Sequence, residues 1–269
     1  SCIVAGGVES MSAVEMGFNS NIHPRLTEEY NLAALQMGMT AEEVADRYDV
    51  SREAQDDYAY RSHERAAEAA TSGRFGREIV PVDTAAGPVE HDEGIRHDID
   101  REKLASLPTV FVSDGSVTPG NASQITDGAA GMVLCSEAFA RDRGLEILAA
   151  IGNHSVAGVE PEVMGIGPIP ACEQLLERSE TTMADYGLVE LNEAFASQCL
   201  YCQRELDIPE DRYNVNGGAI AIGHPLGATG ARLPVTLVHE MHEQGVDRGL
   251  ATECVGFGQG AAIELHRQV

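Results

Sequence analysis

Apolar positions along this chain keep two different rhythms. From Thr40 to Gly73 they recur at helical spacing, with Tyr58, Ala59, Ser62, Ala66 and Ala69 on one face. Thr40-Ala-Glu-Glu43 has the form of a capping box with Thr40 as N-cap, Ser51 caps a second start, and Gly73 is a stop. Elsewhere the apolar residues come in short runs. Ile3 to Gly7 and Ala129 to Cys135 are predicted as buried strands, and Ile79 to Val82, Leu145 to His154, Leu188 to Leu191, Gly249 to Glu253 and Ala261 to His266 as further strands. Helices are predicted for Ser136 to Gly144 with Ser136 as cap, for Pro170 to Ser179, Glu193 to Leu206 and Arg232 to Gly245. Thr84 to Asp114 mixes Gly, Pro and charge and is expected to be loop-rich. Strand and helix alternate through the second half, the pattern of an α/β domain. Phe18 to Gly120 breaks that alternation and is expected to be a helical excursion inserted between strands of one domain.

Composition narrows the possibilities. A length of 269 residues with 43% hydrophobic content is enough for one large or two modest cores. No apolar run reaches the length of about 18 residues that a membrane span needs. No signal-type leader is present, so a cytoplasmic protein is expected. The chain opens at Ser1 and runs straight into Ile3-Val4-Ala5, as a sequence cut in the middle of a strand would. The net charge is -25, and Lys103 is the only lysine. Such a surface repels a phosphate backbone, which argues against nucleic-acid binding. It is expected to suit high salt, where screening relieves self-repulsion. The six cysteines make no disulfide framework. Cys199-Leu-Tyr-Cys202 is a lone CxxC, and a zinc site would need a second pair. A redox pair is one reading of it, and two small apolar residues on one helix face is the plainer one.

The chemistry concentrates in Asn214 to Arg232 (NVNGGAIAIGHPLGATGAR) and Cys254 to Gly260 (CVGFGQG). Pro225 biases His224 toward extended backbone, and a helix beginning near Thr229 would present its positive end to developing negative charge. The turn lacks the Gly-Lys-Ser/Thr of a Walker loop and does not follow a strand as a dinucleotide loop would. Cys254 follows a predicted strand and precedes Gly256, Gly258 and Gly260, a place where backbone N–H groups can activate a thiol, although a strand-end Cys is often only structural. Asn192, at a strand-to-helix switch, is either an N-cap or an amide aimed at a bound water or carbonyl. Gly120 to Gly128 (GNASQITDG) is a loop with weak support as a ligand contact.

Taken in order, AGGVESMS (Ala5 to Ser12), MGMTAEEVADRY (Met37 to Tyr48), GNASQITDGAA (Gly120 to Ala130), NEAF (Asn192 to Phe195), GGAIAIGHPLGATGAR and CVGFGQG resemble the thiolase family across essentially the whole chain. The resemblance implies a layered α-β-α-β-α fold of two similar halves with an inserted loop domain, the first half incomplete here. Residues 1–17 and 121–142 would belong to the N-terminal half, 18–120 to the loop domain over coenzyme A, and 143–269 to the C-terminal half. It implies coenzyme A thioesters as substrates with no permanently bound cofactor or metal, and a homodimer or homotetramer. By position, His224 would activate a nucleophilic thiol and line an oxyanion hole with a water held by Asn192. Cys254 would be the second acid/base, and the Gly256 N–H would stabilise a tetrahedral intermediate. Met37, Ser123, Ala194 and Phe195 would touch the coenzyme A arm.

Four departures from the family pattern stand out. The nucleophilic Cys of the family lies upstream of the AGG strand and so outside this chain, and the isolated chain is expected to be inactive. Gln36 stands where many members carry His, and Phe257 where many carry a small residue, which is expected to reshape the pocket floor. Thr84 to Asp98 is acidic where a basic coenzyme A contact is common, leaving Arg96 and Arg101 as the nearest phosphate candidates. Thiolytic cleavage of 3-ketoacyl-CoA is favoured over acetoacetyl-CoA synthesis. The other readings are that biosynthetic activity, a non-catalytic acyl-CoA-binding or partner subunit, or a ketosynthase-type condensing enzyme, which Cys254 argues against.

Overall fold

The structure is a computed structural model that describes residues 1–14, 16 and 22–268. In chain order the elements are β1 (Cys2–Ser10), α1 (Pro24–Glu29), α2 (Met37–Arg47), α3 (Arg52–Thr71), β2 (Val82–Thr84), β3 (Gly87–Val89), α4 (Arg101–Ser106), β4 (Asp127–Cys135), α5 (Glu137–Arg143), β5 (Ala149–Gly158), α6 (Pro168–Ser179), β6 (Leu188–Leu191), α7 (Ala196–Glu205), α8 (Ala219–Ile222), α9 (Leu226–Gln244), β7 (Arg248–Val255) and β8 (Gln259–Arg267). The expected boundary between residues 17 and 18 lies outside the described residues.

A four-stranded sheet runs in the order β5-β8-β7-β6, antiparallel except for the parallel pair β6–β7. The period-two geometry of β6 splits its side chains between two cores. Val189 and Leu191 point into a cluster with Leu175 of α6, Cys199 and Cys202 of α7, Tyr186, Tyr213 and Leu250. Leu188 points the other way, joining Leu233, Leu237 and Met241 of α9 with Ala251 and Leu265. On its far side α9 lies against a second, two-stranded sheet, the antiparallel pair β1–β4. The layers are therefore helix, sheet, helix and sheet, as expected for the incomplete α-β-α-β-α stack. Gly7 is what lets β1 approach so closely, since a Cβ there would run into the Gly227 carbonyl of α9.

Several sequence-based boundaries shift for identifiable reasons. β1 and β4 are not buried strands: one face of each rests on α9, while Val4 is 81% and Val133 63% exposed. Thr40 is not an N-cap. α2 starts a turn earlier with Gln36 at the cap, and Thr40 Oγ1 donates to the Met37 carbonyl at 2.7 Å inside the helix. Ser51 and Ser136 do cap, accepting from Ala54 N at 3.2 Å and Phe139 N at 3.4 Å, and Gly73 takes the left-handed conformation at φ 76°. The Ile79 to Val82 strand is displaced to a small hairpin, β2–β3, and the loop-rich stretch also holds α4. α9 begins at Leu226, earlier than Thr229 or Arg232, and continues through Pro234. A proline is easiest at a first turn, so pattern alone places this start too late. α7 begins at Ala196, leaving Asn192 to Phe195 as a connector. Among the described residues no helix is long and apolar enough to cross a membrane.

Candidate active site

Asn192 leaves the end of β6, where its own N–H donates to the Thr252 carbonyl of β7 at 3.0 Å. It caps no helix. Its side chain is completely buried, and among the described residues neither Nδ2 nor Oδ1 has a hydrogen-bond partner. Buried amides are almost always paired, because an unpaired one costs about 1–3 kcal/mol. Of the two readings open from sequence, the amide aimed at a bound water or carbonyl is the one this geometry supports.

The next residues are zipped to the Gly120–Gly128 loop. Ser123 N donates to the Ala194 carbonyl at 2.9 Å, Ala196 N to the Asn121 carbonyl at 2.9 Å, and Ala122 pairs with Phe195 across an antiparallel bridge. The loop thus holds Ser123 beside Ala194 and Phe195. Gln198 Oε1 steadies the turn by accepting from Ala194 N at 3.1 Å and Phe195 N at 3.3 Å.

Cys254, near the end of β7, is 7% exposed and packs with Ala41, Val117, Met164, Ala194 and Phe195, with Met37 and Ala122 against the same cluster. A Cβ on Gly256 would come to 3.0 Å from Met37 Cε, so the glycine-rich β7–β8 turn sits directly on α2. Four of the residues named from sequence, Met37, Ala194, Phe195 and Cys254, therefore share one apolar cluster, with Gly256 against Met37 and Ser123 bonded to Ala194. Burial foremost, then the neighbouring Glu253 charge, pushes the Cys254 thiol up to about 12, so it is protonated at neutral pH. Phe257 is 43% exposed at φ 65° in the same turn and stands outside the apolar cluster. Phe111, which sequence reasoning missed, meets the Phe195 ring edge-on at 6.4 Å.

His224 projects from the turn between α8 and α9. Gly223 has φ 94°, and a Cβ there would strike Thr126 of the same 120–128 loop. That loop therefore spans both the Ser123 contact and the histidine turn. His224 Nδ1 lies 2.7 Å from Thr229 Oγ1, and the Thr229 hydroxyl hydrogen is committed to the Pro225 carbonyl at 3.0 Å. Thr229 must then accept from His224 Nδ1–H, which leaves Nε2 as the unprotonated acceptor in this hydrogen-bond assignment. Burial first, and the Arg232 charge second, lower the His224 pKa to about 4, so the ring is a neutral base at neutral pH.

Sequence reasoning also missed Glu193. It is 1% exposed and accepts from Tyr58 Oη at 3.0 Å, Ser62 Oγ at 2.6 Å, Asn214 Nδ2 at 3.1 Å and Ile220 N at 3.1 Å. It ties α3 and the Asn214–Ile222 segment to the connector that carries Asn192. Arg101 is taken up by Asp57 at 2.9 Å and by the Tyr60 face at 3.5 Å, which leaves the exposed Arg96 as the freer of the two phosphate candidates. Cys199 and Cys202 are buried and donate to the carbonyls of Asn192 and Gly165 respectively. Among the described residues no group of three or more His, Cys, Asp or Glu converges as a metal site.

Fold and side chains together define a layered α/β protein that carries a neutral base at His224, a protonated thiol at Cys254 and a buried, unpaired amide at Asn192. Comparison with known proteins names it further: the chain belongs to the thiolase family. Residues 1–138 match the thiolase N-terminal domain and residues 145–267 the thiolase C-terminal domain. It is 45% identical over 271 residues to a 3-ketoacyl-CoA thiolase of Pseudoalteromonas translucida, covering 97% of this chain and 70% of that protein. It is likewise 45% identical over 285 residues to an acetyl-CoA acetyltransferase of Chromobacterium violaceum, covering 98% and 72%. The crystal structure of human mitochondrial 3-ketoacyl-CoA thiolase in complex with CoA superposes with a TM-score of 0.91 at 38% identity, over 99% of this chain and 71% of that one.

Proposed function

We propose that this chain supplies the acid–base and oxyanion-binding part of a coenzyme A-dependent C-acyltransferase, cleaving 3-ketoacyl-CoA with CoA. The observation that carries the reading is the buried Asn192 amide, whose two polar atoms have no partner among the described residues. In this reading His224 Nε2 takes the proton of an attacking thiol, supplied by a residue outside positions 1–269. The thiolate adds to the 3-keto carbon. The new N–H on His224, together with a water held by Asn192, faces the thioester oxygen, which takes up the negative charge as the C2 carbanion forms. The bond between C2 and C3 then breaks, and the Cys254 S–H delivers its proton to the C2 carbanion, releasing acetyl-CoA. Cys254, now a thiolate, takes the proton of incoming CoA, whose sulfur accepts the acyl group as the enzyme thiolate leaves and recovers its proton from His224. The Gly256 N–H stabilises that second tetrahedral intermediate. Splitting the exchange into two steps lowers each barrier.

Met37, Ser123, Ala194 and Phe195 would line the coenzyme A arm, with residues 18–120 forming the inserted cover between the parts at 1–17 and 121–142, and 143–269 forming the other half. A homodimer or homotetramer working in the cytoplasm completes the proposal.

The test uses the polypeptide as its source cells make it. In Cys254→Ala, transfer of label from acyl-CoA onto the enzyme should persist, while exchange of the acetyl-CoA α-protons with solvent deuterium, followed by NMR, should fall by about 10²–10⁴. Normal exchange in this variant would remove Cys254 from the mechanism. In Asn192→Ala, kcat is expected to drop by about 10²–10³ with KM nearly unchanged, the pattern for a group that acts on developing charge. A rise in KM alone would make Asn192 a binding residue only.

A further inference from the structure

We propose that Arg232 is a positioning residue for the acyl-transfer site, given the roles proposed above for His224, Asn192 and Cys254. Its buried guanidinium on α9 acts through His224 on one side. On the other it acts through the Glu190 and Glu253 carboxylates, at the ends of the strands that lead into Asn192 and Cys254.

β6 and β7 turn one face to α9. Leu188 and Ala251 pack on that helix, and by strand alternation Glu190 and Glu253 point the same way. Glu190 stands two residues before Asn192, and Glu253 directly before Cys254. Arg232 meets them from α9, with Nη1 3.9 Å from Glu190 Oε2. The Glu253 carboxylate rests on the helix two residues earlier, since a Cβ on Gly230 would come to 3.0 Å from its Oε1. The Glu190 side chain is 3% exposed and that of Arg232 16%. Among the described residues, Nε, Nη1 and Nη2 of Arg232 and Oε2 of Glu190 have no hydrogen-bond partner. A buried cation that no hydrogen bond fixes works by its charge, which acts more strongly inside a protein than in water.

The groups around that charge neutralise it only in part. Glu190 and Glu253 approach it from the sheet, and Glu78 and Asp92 lie within its range from the segments between α3 and β2 and between β3 and α4. Burial foremost raises all four carboxyls while Arg232 pulls each down, and Glu190 reaches about 8 and Glu78 about 7. At neutral pH neither of those two carries a full negative charge. His91 lies beside Asp92, and Glu240, two turns on along α9, is committed to Arg74 at 3.1 Å. The remaining positive charge is felt at His224, where it adds to burial in keeping the ring neutral. Facing the histidine turn, Glu9 of β1 accepts from Gly227 N at 3.3 Å, and Asp127 accepts from Ser12 N at 2.9 Å. One guanidinium thus biases the base, while the Glu253 charge that it favours adds to burial in keeping the Cys254 thiol protonated.

Titrating the His224 ring by NMR, in the polypeptide as its source cells make it, checks this. In Arg232→Gln the midpoint should rise by about one pH unit from near 4, staying below the ordinary 6.5 because burial remains. In the same variant kcat for 3-ketoacyl-CoA cleavage should fall by about 10–10²-fold with KM nearly unchanged. Arg232→Lys keeps the charge, so its midpoint should stay near 4 and most of kcat should return. If Arg232→Gln does not fold, the double variant Arg232→Gln, Glu190→Gln takes its place with the same rise expected, because neither partner is then left buried and charged alone. An unmoved midpoint in the neutral variant, an equal rise in Arg232→Lys, or an unchanged kcat would each overturn the proposal. The ring titrates whether or not the enzyme turns over. An unmoved midpoint therefore counts against Arg232 alone, while retained cleavage in His224→Ala counts against the acyl-transfer reading.

Discussion

Replacing His224 with alanine is expected to lower kcat/KM for 3-ketoacyl-CoA cleavage by about 10³–10⁴, the span of a lost general base that also serves the oxyanion. The hydrogen-bond chain Pro225 carbonyl, Thr229 hydroxyl and His224 Nδ1 holds the ring with Nε2 free. Its pKa of about 4 sets the pH behaviour. The base form is fully present above about pH 5 and is lost as pH falls through 4, so the acid limb assigned to His224 should lie near 4. An ordinary histidine would place it near 6.5. Stability follows the same sign. Between about 6.5 and 4 the unfolded chain takes up a proton at this position that the folded chain refuses, so folding weakens as pH falls through that window. His224→Ala should lose that slope. A pH–rate profile of the native enzyme, with the unfolding midpoint of both forms at pH 4 and 7, checks both statements. An acid limb at the ordinary histidine position would rule out the buried neutral base.

Glu193→Ala should cost stability more than any other single change near the site, about 3–5 kcal/mol out of a typical total of about 5–15 kcal/mol. The loss comes from four donors left without their acceptor inside the protein: Tyr58 Oη, Ser62 Oγ, Asn214 Nδ2 and Ile220 N. Glu193→Gln keeps the volume and one oxygen, so it should fall between wild type and alanine. Urea midpoints for the three proteins measure this directly. A change below about 1 kcal/mol for alanine, the scale of an ordinary surface mutation, would mean the network reforms around water.

The contrast between these two residues shows how much of the site was readable beforehand. His224 stands in a turn whose glycines and proline have no use in a core, so local pattern marks it as a candidate. Glu193 lies one residue past Asn192 in a segment with helical composition. It was predicted to open a helix. Its partners are 131 and 135 residues away on α3 and 21 and 27 residues away in the histidine segment. Nothing within a short window marks a carboxylate whose four donors come from so far. The same cause lies behind the Thr40 error. The capping-box pattern was there, but Met37 and Ala41 pack on the Cys254 cluster, and that burial extends α2 forward past the local signal.

By itself the sequence determined the α/β alternation of the second half, the caps at Ser51 and Ser136, strand β6 to the residue, and the family to which the chain belongs. These depend on side-chain period, turn chemistry and short motifs, all of which act within a few residues. Tertiary structure alone decided which strand faces stay open, where α2 and α9 begin, that Asn192 turns an unpaired amide inward, and that His224 holds its free nitrogen at Nε2. Each of those follows from which distant groups arrive beside a residue. Burial and long-range hydrogen bonds outweigh local preferences of a few tenths of a kcal/mol wherever the two conflict.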